Sequence, residues 1–558
     1  MSDHNHRSRA MVAESGFFTG LHSGMGIAAK GMVVAFVVFT VLNVEFANSI
    51  YSSIRGWIEA TLSWYYVTLL SVAFIFCIFL MFSRHGSVRL GSDESRPEFS
   101  NFSWFAMLFS AGIGIGVFFF GIAEPLFYLD NTQPWGYPNN PFADQGGHAE
   151  INVARARDAM MVTYFHWGLH GWAFYVLTGL SLAYFGFRKG LPLTLRSALY
   201  PLFGDKIYGP IGHAVDLLAV FGTVFGVATS LGLGVSQMAV GLNVLLGVDP
   251  GLTTQMILIL IISIIATLSA VSGVGNGIRI ISEWNIYLSV IVLGYFMFAG
   301  PFTWLMGFFV TTLGDYMVNV LSMGFWVAAD GNDIKWQGGW TIFYWGWWIS
   351  WAPFVGMFIA RISRGRTIRE FMVGVMFVPC TMAFFWLCMF GGNAMYLEIN
   401  AAGGAGTYGL LDLVRNWDLP AGLYGTIEAI GREAGVNWMA TIIAAMSTLL
   451  LATWFITSSD SGTLVITTML SMGSDDPPQK FRIVWGMGEG IVAAALLSAG
   501  GLKALQTASI AAALPVSIVL TLMTIGLYKS LQEDSSAVVA DPSGVAPDGT
   551  SLAGELHA

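Results

Sequence analysis

Apolar runs of about 20 residues recur from one end of this 558-residue chain to the other. That is the length an α-helix needs to cross the hydrocarbon core of a bilayer. Twelve such runs are read at 26–47, 61–82, 101–128, 159–186, 211–241, 252–271, 284–310, 341–362, 368–391, 438–470, 482–499 and 506–529. Only 11% of the residues are charged, against about 25% in a soluble globular protein. A transmembrane β-barrel would show short segments of alternating polarity instead. The expected fold is therefore all-α, an integral membrane protein of about 12 transmembrane helices in contact with the lipid bilayer.

The stretches outside the runs set the organisation. Residues 1–25 read as a polar N-terminal tail without the apolar core of a signal peptide. Residues 26–530 read as one membrane domain. Within it, 315–328 (DYMVNVLSMGFWVA) is mildly amphipathic and too short to cross, which fits a helix at the interface. Residues 392–436 read as a long Gly-rich external loop, and 531–558 as a disordered acidic C-terminal tail. With twelve spans, 18 Lys and Arg fall on the side of the termini and 7 on the other. Both termini are thus expected in the cytoplasm. The three cysteines, Cys77, Cys380 and Cys388, lie inside apolar runs with no disulfide or metal spacing.

Four places inside the runs depart from plain membrane helix. The third, "FSAGIGIGVFFFGIAEPLFY" (Phe109 to Tyr128), carries Gly112, Gly114, Gly116 and Gly121. Small residues can serve close helix packing. Alternating glycines also fit an unwound segment, which a membrane tolerates only where it is buried or lines a cavity. The eighth run, "FYWGWWISWAPF" (Phe343 to Phe354), holds Trp345, Trp347, Trp348 and Trp351. An interfacial belt would use tryptophan near a span end, which suits Trp345. Trp348 and Trp351 lie deeper, and indole faces attract cations that lack N–H donors.

The fourth run, "FHWGLHGWAFYV" (Phe165 to Val176), adds Trp167, Trp172 and Tyr175. His166 and His170 have zinc-ligand spacing, but no third ligand is evident, so packing or hydrogen bonding is expected of them. The tenth run ends in "TWFITSSDSG" (Thr453 to Gly462). Its hydroxyls either bond their own helix or, with carbonyls, suit a hard monovalent cation. Asp460 is either an intramembrane functional residue or a span-end residue. Irregular segments five spans apart, in runs 3 and 8, are a pointer to a transporter's central site. Spans 3–7 and 8–12 then form two inverted five-helix repeats.

On these residues the chain resembles the betaine/carnitine/choline transporter (BCCT) family, from about residue 15 to 530. The most specific stretches are "FSWFAMLFSAGIGIGVFFFGIAEP" (Phe102 to Pro125) and "WTIFYWGWWISWAPFVGMFIARISRGRTIREF" (Trp340 to Phe371). The resemblance implies a LeuT-like core, the inverted-repeat architecture of sodium-coupled amino-acid transporters, and commonly a homotrimer in the bacterial inner membrane. It implies an aromatic box of Trp167, Trp172, Tyr175 and Trp348, flanked by Trp347 and Trp351 with Phe119 nearby. It implies substrate contact with the backbone of Gly112, Ile113, Gly114 and Gly116. A sodium site is implied at the carbonyls of Ser110, Ile113 and Trp454 and the side chains of Thr457 and Ser458. A second is implied near Thr229, Ser230 and Phe354.

Further details of the resemblance narrow the expectation. Gly116 stands where proton-coupled choline members tend to carry an acid, and the C-terminal tail is short. Both favour sodium-coupled import of a quaternary ammonium or sulfonium zwitterion, such as glycine betaine or dimethylsulfoniopropionate. The absence of a basic C-terminal extension puts osmotic regulation in doubt. Gly168 and Gly171 replace bulkier residues of relatives and are expected to loosen the box. The alternatives are proton-coupled choline uptake and ion-independent carnitine-type exchange. A membrane enzyme is not expected, because HExxH, GxSxG at a span edge, a Cys/His metal set and paired intramembrane carboxylates are not seen. A channel or receptor is not expected either, without a repeated filter or a soluble domain. Sodium is the expected coupling ion; no cofactor and no nucleic acid are expected.

Overall fold

The computed structural model describes residues 7, 10–112, 114–132, 150–272, 279–329, 331–474 and 476–540. Among them the regular structure is helical, beside one isolated antiparallel bridge between Arg89 and Thr367. The first helices are α1 (Ser23–Leu42), α2 (Val44–Thr61) and α3 (Ser63–Phe82). Next come α4 (Asn101–Gly112), α5 (Ile115–Leu129), α6 (Val153–Trp167) and α7 (Leu169–Ala183). The middle of the chain forms α8 (Pro210–Leu246), α9 (Leu252–Ser272), α10 (Arg279–Phe298) and α11 (Phe302–Gly324). Then follow α12 (Gly331–Arg361), α13 (Ile368–Asn400), α14 (Leu410–Arg415) and α15 (Ala421–Glu433). The last are α16 (Asn437–Leu470), α17 (Gln479–Gly501) and α18 (Lys503–Asp534).

Ten of these are long and apolar enough to cross a membrane among the described residues, with α5 and part of α10 as shorter apolar helices. The expected runs at 101–128 and 159–186 are each two helices. The first is interrupted at Gly114 and the second at Gly168. The run at 341–362 is not interrupted at its tryptophans. Its α-helix is continuous from Phe343 to Arg361 with Pro353 inside, and a π-helical turn at Gly338–Ile342 precedes it. The second irregularity therefore belongs to the fourth run and not to the eighth.

Other boundaries differ for local reasons. The run expected at 26–47 stops at Leu42, and α2 buries Ala47, Tyr51 and Ile58 along one face. The run at 284–310 stops at Phe298, where Gly300 and Pro301 follow; proline cannot donate to a continuing helix. The interfacial helix expected at 315–328 is the end of α11, which starts at Phe302 and buries Leu305, Phe308, Thr312, Tyr316 and Val320 at helical spacing. Residues 392–436 are not an open loop. α13 runs on to Asn400, and α14 and α15 bury Leu410, Val414, Leu423, Ile427 and Ile430. The C-terminal tail is not disordered from 531: helix continues to Ala540, and the Asp534 carboxylate accepts from Tyr184 and Lys189. Residues 541–558 lie outside the described residues.

Buried charges hold the ends of the broken helices and the entry to α8. Arg155, fully buried, donates to the carbonyls of Leu129 and Asp130, which α5 leaves free at its C-terminus. Arg415 on α14 reaches the Asp130 carboxylate at 2.9 Å. Ahead of α8, Arg196 is 1% exposed, and its Nε lies 2.7 Å from Oδ2 of the fully buried Asp216. The Arg196 backbone N–H also donates to Asp216 at 3.1 Å. Removing one member of a buried ion pair leaves the other uncompensated, at about 3–5 kcal/mol. An Asp216→Ala protein is expected to lose its monodisperse peak at a lower temperature than wild type in detergent thermal-shift chromatography. An unchanged transition would show that the pair adds nothing to the fold.

Candidate functional site

The two helix breaks and the tryptophan run meet at one place. A small cavity is lined by Gly114, Gly116, Trp167, Tyr175, Ser230, Trp347, Trp348 and Trp351. Its free volume is about 30 Å³, so the walls must part to admit a solute larger than water. Larger apolar grooves lie between α3, α7 and α18 and between α10 and α13. Exposed side chains such as Ile525 and Val290 line those grooves, neither break opens into them, and they suit lipid contact.

Each wall has a local reason for its position. At the first break, Gly114 has φ −130° and ψ −150°, and α5 begins at Ile115. The Gly114 carbonyl takes the Val117 N–H at 3.1 Å, and the N–H groups of Ile115 and Gly116 have no carbonyl within their own helix. A Cβ on Gly116 would lie 2.6 Å from the Trp347 ring and 2.8 Å from the Trp167 ring, so only glycine lets both indoles rest there. Gly171 does the same for Trp348, whose ring would be 2.5 Å from an added Cβ. At the second break, the freed N–H of Leu169 donates to the Tyr316 hydroxyl of α11 at 3.1 Å. This placement satisfies an amide that lipid could not.

The rings form a connected wall. Tyr175 and Trp348 have centroids 4.7 Å apart, Trp167 and Trp348 6.3 Å, Trp167 and Trp347 6.0 Å, and Trp347 and Trp351 6.3 Å. Their polar edges divide into two kinds. Trp167 Nε1 donates to Glu124 Oε2 at 2.8 Å, and Trp348 Nε1 donates to the His166 carbonyl at 3.0 Å. Those two indoles have only their faces left to offer. Trp347 Nε1, Trp351 Nε1 and Ser230 Oγ are buried with no hydrogen-bond partner among the described residues. They are donors without acceptors, on residues that line the same cavity.

The remaining expected box residues are placed differently. Trp172 packs edge-on to Trp348 and Tyr175, at 5.7 and 5.6 Å, and does not line the cavity. Phe119 packs against Phe120 and does not line it either. Phe120, one position on, is the residue that touches Trp167 and Trp347. Trp345 is buried against His170 and Phe165, so it is core and not an interfacial belt. Gly112 ends α4, and Ile113 lies outside the described residues.

The expected cation ligands are only partly gathered. Ser110 lies within α4, and its side chain lies outside the described residues. Thr457 and Ser458 both donate to the Trp454 carbonyl, at 2.9 and 3.0 Å. Ser458 Oγ stands 3.9 Å from where a Cβ on Gly114 would be, so α16 faces the first break there. Hydroxyl and carbonyl oxygens at such a break have the chemistry of a sodium site. The second expected set is divided. Thr229 is held by Ser509 Oγ at 2.9 Å and by the Phe225 and Leu505 carbonyls; Ser230 lines the cavity; the Phe354 ring packs on Trp351 at 5.4 Å.

Two carboxylates stand outside the site expected from the sequence, although acids inside apolar runs are the signal that finds them. Glu124 is fully buried and accepts from Tyr128, His166, Trp167 and Tyr344. Glu489 of α17 is fully buried and accepts from Ser459 at 2.6 Å. Asp460 is no span-end residue, because α16 runs on to Leu470, and it accepts from Ser269 at 2.5 Å. Two buried acids, Asp460 and Glu489, therefore stand on packed helices where paired intramembrane carboxylates were not expected.

A wall of aromatic faces around a small cavity is the recognised form of a quaternary ammonium cage. Gly116→Ala forces Trp347 and Trp167 apart. Its affinity for tetramethylammonium, titrated by tryptophan fluorescence, is expected to fall about tenfold, the scale of one to two lost cation–π contacts. Wild-type affinity would show that the indoles can shift without cost.

Comparison with known proteins agrees with this geometry. A profile of the betaine/carnitine/choline family transporters matches residues 25–536. The glycine betaine transporter OpuD of Bacillus subtilis is 42% identical over 504 residues, 90% of this chain and 93% of its own length. A glycine betaine/proline/choline transporter of Vibrio parahaemolyticus is 40% identical over 514 residues, 91% of this chain and 90% of its own. A high-affinity choline transport protein of Escherichia coli is 38% identical over 507 residues, 90% of this chain and 71% of its own. With an aromatic cavity at two broken membrane helices and a match over nearly its whole length, the chain belongs to the betaine/carnitine/choline transporter family, whose members are transporters and not enzymes.

Proposed function

We propose that the protein imports a small quaternary ammonium zwitterion of the glycine betaine type, with sodium as the coupling ion. The observation that carries this is the division of the cavity's polar edges. Trp167 and Trp348 have their N–H groups engaged and present faces, and with Tyr175 they suit a methyl-bearing cation. Each desolvated cation–π contact contributes about 0.5–2 kcal/mol. Trp347, Trp351 and Ser230 keep donors with no partner among the described residues, which suit a carboxylate. The N-terminal amides of α5 add to that end. A zwitterion satisfies both ends, and its sulfonium analogue dimethylsulfoniopropionate fits the same logic.

Sodium is proposed between the first break and the Trp454, Thr457 and Ser458 oxygens of α16. A cation there would tie the interrupted helix to α16 and favour the arrangement that binds substrate, which is coupling in the thermodynamic sense. The cavity's tightness suits a closed state in an alternating-access cycle, with both termini cytoplasmic and a homotrimeric assembly. The second reading is proton-coupled choline uptake, which the choline-transporting relative keeps in view. It lacks an acid at Gly116, and choline brings no carboxylate to the free donors.

Proteoliposomes with labelled glycine betaine and labelled choline separate the two. Accumulation of glycine betaine is expected with a sodium gradient and near background without it. Thr457→Ala combined with Ser458→Ala is expected to raise the sodium concentration for half-maximal uptake at least about tenfold, the scale of losing two ligating oxygens. Choline accumulation driven by a proton gradient in sodium-free buffer would replace this reading with the second.

A further inference from the structure

Glu124 does not line the cavity, yet both of its face-presenting indoles lead back to it. Its Oε2 accepts from Trp167 Nε1 at 2.8 Å and from the Tyr344 hydroxyl at 2.5 Å. Its Oε1 accepts from Tyr128 at 3.0 Å and is 2.8 Å from His166 Nδ1. Four groups thus converge on one fully buried carboxylate, and its oxygens are taken up within the protein. It is not left free to meet a substrate or an ion.

The connection to the cage follows from the second helix break. Trp167 is the last residue of α6 before Gly168, so its ring is not held by a continuing helix. An indole has one polar handle, and here that handle is fixed by Glu124. His166 precedes it, and because α6 stops, its carbonyl has no partner further along that helix. That carbonyl is what Trp348 Nε1 binds. The His166 ring is clamped on both sides, by Glu124 at Nδ1 and by Thr341 Oγ1 at 3.0 Å from Nε2. We propose that Glu124 is the positioning residue of the cage: it sets Trp167 directly and Trp348 through His166, so that both turn their faces to the substrate cation.

The proposal rests on the substrate reading given above, and its test keeps the two apart. Wild-type uptake of labelled glycine betaine in proteoliposomes tests that reading first; no uptake by wild type overturns it. Glu124→Gln keeps the volume but leaves one acceptor oxygen for groups that now share two. Its KM for glycine betaine is expected to rise about tenfold with kcat within about twofold, the effect of losing a charge-assisted hydrogen bond on ground-state and transition-state binding alike. In a Trp167→Phe background, which lacks the Nε1 handle, the same change is expected to raise KM less than about threefold, as contacts that share a partner are not additive. Near-UV circular dichroism of Glu124→Gln is expected to lose tryptophan fine structure while its detergent elution profile stays that of wild type. A wild-type KM for Glu124→Gln, or the same rise in both backgrounds, would overturn the proposal. If Glu124→Gln does not elute as folded protein, Glu124→Asp decides by the same two comparisons, since it keeps the acceptors but withdraws them from the indole.

Discussion

A backbone amide or carbonyl cannot stay unpaired against lipid, and the rest of this structure is arranged around two places where that constraint is met by other means. Helix is broken at Gly114 and again at Gly168. At Gly168 the freed amide of Leu169 is taken by Tyr316, and the freed carbonyl of His166 by Trp348. At the end of α5 the loose carbonyls are taken by Arg155. The second break and the end of α5 are thereby covered by side chains from other helices. The start of α5, where the Val117 N–H is taken by the Gly114 carbonyl at 3.1 Å, faces the aromatic cavity and the hydroxyls of α16.

The breaks also explain why tryptophan is concentrated here. Indole has a large face and a single N–H, so a wall of indoles is non-polar only if each N–H is disposed of. Trp167 and Trp348 dispose of theirs inside the protein, and Trp347 and Trp351 do not. One residue type thus supplies two different surfaces within one cavity. The glycines do the complementary work. Gly116 and Gly171 have no Cβ where an indole ring must lie, and neither position needs glycine for an unusual φ.

Much of this was legible in the sequence, and what was not has physical causes. Apolar runs gave the helical membrane fold, and the alternating glycines gave the first break, because both are local patterns. The second break was read as a loosened box, since one Gly168 in a helix is cheap and says nothing of Tyr316 waiting on α11. The break at Pro301 and the helices of 410–433 were missed because hydropathy averages over the turn chemistry and short apolar stripes that decide them. Trp167, Tyr175, Trp347, Trp348 and Trp351 meet at the cavity, while Trp172 and Phe119 stand behind it. Facing direction depends on the register of packed helices, which spacing within one helix does not reveal. Glu124 was overlooked beside the glycines, although a carboxylate in an apolar run is itself a signal.

On the proposed function, the cavity reads a fixed positive charge through aromatic faces and not merely a bulky methyl-rich group. 3,3-Dimethylbutyrate has the shape of glycine betaine with carbon in place of the quaternary nitrogen. Competition against labelled glycine betaine for binding to the purified protein isolates that difference. The carbon analogue is expected to compete at least about tenfold more weakly, the least that two to three cation–π contacts would give. Equal competition would mean that the indoles act as a hydrophobic pocket and would contradict the proposed function.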